Sequence, residues 1–183
     1  MTFFHSTTMK IFLTILLLLI FSICAFSQSQ DTIYWSTCYK LKWDDFLSTP
    51  DNNSKFKAVS SVGINYRLTH DEKSFAYSIT CTFNRKKSWS KSTDSTLLGH
   101  ENTHFNITEL FARKLNQAFK NYKMNVPATI QNDFKKIAML IRSQRDSMDN
   151  LYDKETNFSI NKKKQLFWDK KIAKELKLLE AYK

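Results

Sequence analysis

The sequence predicts an α+β fold: a small antiparallel sheet packed on about three helices, one of them a long helix carrying the site. Three observations predict it. Period-two alternation is confined to the first half, where Val62, Ile64, Tyr66 and Leu68 face Phe75, Tyr77, Ile79, Cys81 and Phe83 across a polar turn. Helical periodicity fills the rest, from the Ser92–Thr96 capping region onward. The chain has 183 residues with only two Gly and two Pro, which suits one core and argues against a many-turned all-β fold. No Gly-rich phosphate loop is present.

The N-terminus reads as a signal peptide over residues 1–27. Lys10 precedes an apolar run from Ile11 to Ile23, and Ala25-Phe26-Ser27 before Gln28 fits small-x-small cleavage. That run is too short to span a bilayer convincingly, and Ile23 before Cys24 fits a lipobox poorly. The expectation is export to the periplasm or exterior as a single domain over 28–183, with no transmembrane helix after cleavage. An oxidising compartment permits a Cys38–Cys81 disulfide; the alternative is two separately buried thiols.

Next come an aromatic-rich stretch from Asp31 to Phe46, a loop from Ser48 to Lys55, and the hairpin with its turn at Thr69–Lys73. The first helix is expected to end near Lys123, before Pro127. A second runs roughly from Thr129 to Leu151 on a stripe including Ile130, Phe134, Ala138 and Met148. Tyr152 to Ile160 reads as a polar connection, and a third helix begins near Asn161.

The chemistry is concentrated in His100-Glu101-Asn102-Thr103-His104, an H-E-x-x-H run on the first helix. Residues four apart share a helix face, so both imidazoles reach one metal, while Glu101 stands beside them as a base. Two nitrogens, a third ligand and an open position for water form the zinc hydrolase arrangement, with Zn2+ the expected cofactor and peptide or protein the expected substrate. The competing reading is a pair of core histidines, since both lie on the apolar stripe with Leu97, Ile107 and Phe111. Ile107 and Leu110 occupy the positions where an extended metzincin motif needs Gly and His, which excludes that class. Glu109 lies about 180° around the helix from His100 and points away. The third ligand is therefore sought in Tyr152-Asp153-Lys154-Glu155-Thr156, with Glu155 slightly ahead of Asp153 and Tyr152 as an oxyanion donor.

The formal charge of +11 favours anionic partners, an envelope surface among them, although a merely solvated basic surface is the simpler reading. Export and the lack of any recognised motif oppose nucleic acid as a partner.

These residues together resemble the DUF922 family of exported bacterial proteins. The resemblance rests on Leu41-x-Trp43-x-Asp45-Phe46, on Ser88-Trp89, and on the run from Leu98 through His100-Glu101-x-x-His104-Phe105 and Glu109 to Leu115. Tyr152-Asp153-x-Glu155-Thr156 and Gln165-x-x-Trp168 extend it toward the C-terminus. It implies a zincin-like domain and zinc-dependent proteolysis, with His100 and His104 as ligands and Glu101 as base. The sequence departs from the family pattern twice. Phe158-Ser159 stands where the family reads His-Gly, and Asn106 where it commonly has Asp. If the family's third ligand is that missing His, the chain is a catalytically inactive envelope binding module that retains the fold. If the ligand is an acid of the Tyr-Asp-x-Glu-Thr block, the site is intact.

Overall fold

The computed structural model describes residues 31–124 and 126–183. The expected signal segment lies outside these residues. Within them no helix is long and apolar enough to cross a membrane.

The fold is α+β, as the hydrophobic patterning predicts. Strands β1 (Thr32–Tyr34), β3 (Val62–His70) and β4 (Phe75–Asn84) form an antiparallel sheet in the order β1-β4-β3. The β3–β4 hairpin pairs Ile64 with Cys81 and Tyr66 with Ile79, and its alternation sends these side chains inward. Its turn is fixed by Asp71, whose Oδ1 accepts from the Lys73 and Ser74 amides. A separate two-stranded ribbon pairs β2 (Ala58–Val59) with β5 (Trp89–Ser90).

Three α-helices follow: α1 (Ser95–Lys120), α2 (Ile130–Thr156) and α3 (Lys162–Leu178). The Asp94 side chain caps α1 by accepting from the Thr96 amide. From Ile107 to Arg113 every residue of α1 is buried, the signature of a helix enclosed on all sides. The sheet contributes Ile33, Ile64 and Phe83 to the surrounding core, α2 contributes Phe134 and Tyr152, and α3 contributes Trp168 and Ile172.

Two elements differ from expectation. Helix α2 does not stop at Leu151 but runs to Thr156, so the Tyr152–Thr156 block is helical. Its polar side chains are satisfied inside the fold: Tyr152 and Thr156 are fully buried, the Tyr152 hydroxyl donates to Gln165 Oε1 at 2.8 Å, and Thr156 Oγ1 donates to the Tyr152 carbonyl of its own helix at 2.7 Å. Nor do the cysteines bridge, because Cys81 faces the core from β4 while Cys38 is exposed.

Glu109 is buried on the far side of α1 from the histidines. Arg113 Nε donates to its Oε1 at 2.8 Å, and Arg113 Nη1 reaches the Leu176 carbonyl and Glu180. Burial lifts the Glu109 pKa, and the neighbouring guanidinium only partly offsets that.

Candidate metal centre

The site arises where α1 and α2 lie side by side. His100 and His104 are four apart on α1, and Asp149 and Asp153 are four apart on α2, so each helix turns a pair of side chains toward the other. One oxygen, Asp153 Oδ1, lies 3.0 Å from the Nε2 atoms of both histidines. The two Nε2 atoms are 3.1 Å apart. One ligand atom from each of His100, His104 and Asp153 thus falls within a 4.8 Å group, the only such metal-capable group among the described residues.

The other ring nitrogens are held from behind. His104 Nδ1 donates to Asp149 Oδ1 at 2.7 Å, and Arg145 stands 3.8 Å from the same carboxylate. His100 Nδ1 donates to Gln165 Oε1 at 3.1 Å. The Gln165 amide cannot flip without loss, since its Nε2 donates to Asp169 Oδ1 at 2.8 Å. Tyr152 lies beneath, its ring stacked on His100 at 4.6 Å and its hydroxyl donating to Gln165 Oε1 at 2.8 Å. Both imidazoles are thereby fixed with Nδ1 protonated and Nε2 turned to the cluster, the orientation a metal requires.

Charge follows from this packing. Burial works against a charged His104, but its hydrogen bonds to Asp149 and Asp153 outweigh it and push the pKa up to about 10. Burial likewise opposes the Asp153 carboxylate, yet the two histidines hold its pKa well below the usual range. Burial raises the Tyr152 hydroxyl pKa, so it stays protonated.

Glu101 is buried beside the cluster, and its Oε2 accepts from Ser60 Oγ at 2.5 Å. Ser60 follows β2, so the small ribbon delivers the side chain that fixes Glu101. His100, Glu101, His104, Asp149 and Asp153 line one cleft of about 800 Å³. Phe158 stands in the wall of that cleft, its ring 5.8 Å from Phe56.

Of the residues expected from sequence, the structure brings His100, Glu101, His104 and Asp153 together. It does not bring Glu155: that carboxylate accepts from Trp168 Nε1 at 2.9 Å and Lys164 Nζ at 3.2 Å, tying α2 to α3. Two positions further along a helix lie about 200° around it, so Asp153 and Glu155 cannot share a target. Tyr152 is also displaced from its expected role. Its hydroxyl is fully buried and engaged beneath His100, where it supports the ring and cannot donate to an oxyanion.

Sequence reasoning missed Asp149 and gave Gln165 no role. The signal for Asp149 was the Asp149–Asp153 spacing, which mirrors His100–His104. Ending the helix at Leu151 hid it. The remaining motif residues build the frame. Asp45 accepts from Tyr39 and the Lys42 amide, and Ser88 Oγ accepts from the Ser61 amide. Asn106 retains an acceptor in the place of the family's Asp, taking the Trp35 indole N–H at 2.9 Å.

Neither a curated protein nor a solved structure matches the chain. A family model does, under the description "Bacterial protein of unknown function (DUF922)", over residues 27–159. The matched segment contains the sheet, α1, α2 and the turn at Phe158, and so every residue of the histidine–aspartate cluster. With well over half of its length matched, the chain belongs to the DUF922 family.

Proposed function

We propose that the protein is an exported zinc-dependent metallopeptidase. The observation that carries this reading is the convergence of His100 Nε2, His104 Nε2 and one Asp153 oxygen on a single point beside Glu101. The donor set suits zinc: two imidazoles and a carboxylate with a fourth position left for water. Tetrahedral ligands at about 2.0–2.1 Å from one ion lie about 3.3 Å from each other. The separations of 3.0 and 3.1 Å need only a slight spreading to match.

Bound zinc supplies a Lewis acid that brings the pKa of water to about 7 and polarises the scissile carbonyl. The rest falls to the chain. Ser60 holds Glu101 Oε2, which leaves Oε1 without a partner among the described residues. This oxygen takes the proton of the attacking water and returns it to the leaving amine. Asp149 and Gln165 each accept from an Nδ1–H and so keep the two rings in register with Nε2 facing the ion. Tyr152 is a positioning residue that acts through the His100 ring.

Glu101→Gln tests the mechanism, since it keeps the side chain's shape and removes the base. The expected result is one zinc per chain with peptide hydrolysis reduced about 10²–10⁴-fold. Full activity in this variant would end the proposal.

A second reading draws on Phe158, an apolar ring in the cleft wall where the family pattern has histidine. On that reading the chain is a binding module of the envelope that retains the fold without hydrolysis. Substoichiometric metal after reconstitution with zinc, with unchanged folding, would favour it.

A further inference from the structure

Helix α3 has two faces of opposite character. One is buried, with Gln165, Trp168 and Ile172 turned to the core. The other carries Leu166, Lys177, Lys170, Lys163, Lys174, Phe167 and Leu178, in that order around the axis. At 100° per residue they occupy an arc of about 120°, centred roughly opposite the buried side. Leu166, Phe167 and Leu178 are 55%, 54% and 72% exposed.

No acid lies within this arc. Asp169 and Glu175 fall outside it, and both are engaged, Asp169 by Thr103 and Gln165 and Glu175 by Lys114 and Lys171. Lys163, Lys170, Lys174 and Lys177 make no ion pair among the described residues, whereas Lys164 and Lys171, just beyond the arc, do. The face therefore combines unpaired cations with large exposed apolar side chains on both of its flanks.

We propose that this outer face of α3 docks the protein on an anionic lipid bilayer. The four central lysines meet phosphate headgroups, and the flanking leucines and phenylalanine enter the interface beside them. A polyanionic glycan would use the lysines but leave the apolar flanks exposed to water, so lipid accounts for the whole face. The chain's net charge of +11 favours the same approach. The face is continuous with the metal cleft: Ile160, 70% exposed, and Lys162 lead into α3 and also line the cleft wall. Docking therefore sets the cleft beside the membrane surface, whether or not the site is hydrolytic.

The test is co-sedimentation of the chain from Gln28 onward, which holds every described element, with phosphatidylglycerol–phosphatidylcholine vesicles and with pure phosphatidylcholine vesicles. Binding is expected only to the anionic vesicles. A lysine near an anionic leaflet is worth about fivefold in affinity, so Lys170→Gln/Lys174→Gln should weaken binding about 25-fold. Leu166→Ser/Phe167→Ser should also lose vesicle binding while heparin retention and helical content stay unchanged, because both side chains are exposed. Absence of vesicle binding by the unaltered chain overturns the proposal. So does equal vesicle binding by the serine variant, which would identify the face as a general polyanion site.

Discussion

At the scale of single residues, the site distinguishes groups that look alike in sequence. Asp153 and Glu155 are two carboxylates two positions apart, yet one meets both histidines and the other joins an indole and an ammonium on α3. Their substitutions should separate cleanly. Asp153→Ala is expected to lose stoichiometric zinc, as His104→Ala should, whereas Glu155→Ala should retain it and lower only thermal stability. Asp149→Ala should fall between, with zinc affinity reduced about 10–100-fold because His104 loses the acceptor that fixes its ring. Zinc titration of the four variants checks the order. Equal zinc binding by Asp153→Ala and the unaltered chain would remove Asp153 from the site.

Among the elements, the decisive one is the turn between α2 and α3. Asn157, Phe158 and Ser159 all have positive φ, at 48°, 50° and 77°. Asn tolerates the left-handed region as a helix C-cap, but Phe and Ser do so at a cost of about 1–3 kcal/mol each. The turn is held nonetheless, by the Phe158 amide on the Asp153 carbonyl at 3.1 Å and the Asn161 amide on the Thr156 carbonyl at 2.7 Å. It must be tight, because α3 has to return at once for Gln165 to reach His100. Ser159→Gly should therefore stabilise the fold by about 1 kcal/mol, a rise in Tm of about 2–4 °C for a chain of this size. A calorimetric scan showing a lower Tm would mean that the serine side chain makes a compensating contact.

For the whole molecule, the proposed metal site is tied to the fold through α1, which is at once the central core helix and the carrier of both histidines. Any ligand that binds the folded chain alone stabilises it by mass action. Free zinc at a hundredfold over its dissociation constant should add about 2.7 kcal/mol, so stripping the metal with a chelator should lower Tm by roughly 5–10 °C. Refilling with zinc should restore it, and in His104→Ala the chelator should have no effect. Differential scanning with and without chelator reads this directly.

The sequence by itself determined the α+β class, the β3–β4 hairpin with its inward face, the three helices, the family, and the H-E-x-x-H residues as the centre of the site. Each of these is a local pattern: alternation in strands, periodicity in helices, and a fixed spacing on one helix. Only the tertiary structure decided what α1 faces. The pairing of His100 and His104 with Asp153, the support from Asp149 and Gln165, and the removal of Glu155 and Tyr152 from their expected roles depend on how α2 and α3 rotate about their axes. That rotation is set by burial of Tyr152, Thr156, Trp168 and Ile172 against α1. Polarity in the Tyr152–Thr156 block read as a loop because Tyr152 and Asp153 find partners about fifty residues away on α1 and Glu155 finds its own on α3, beyond the reach of any local pattern.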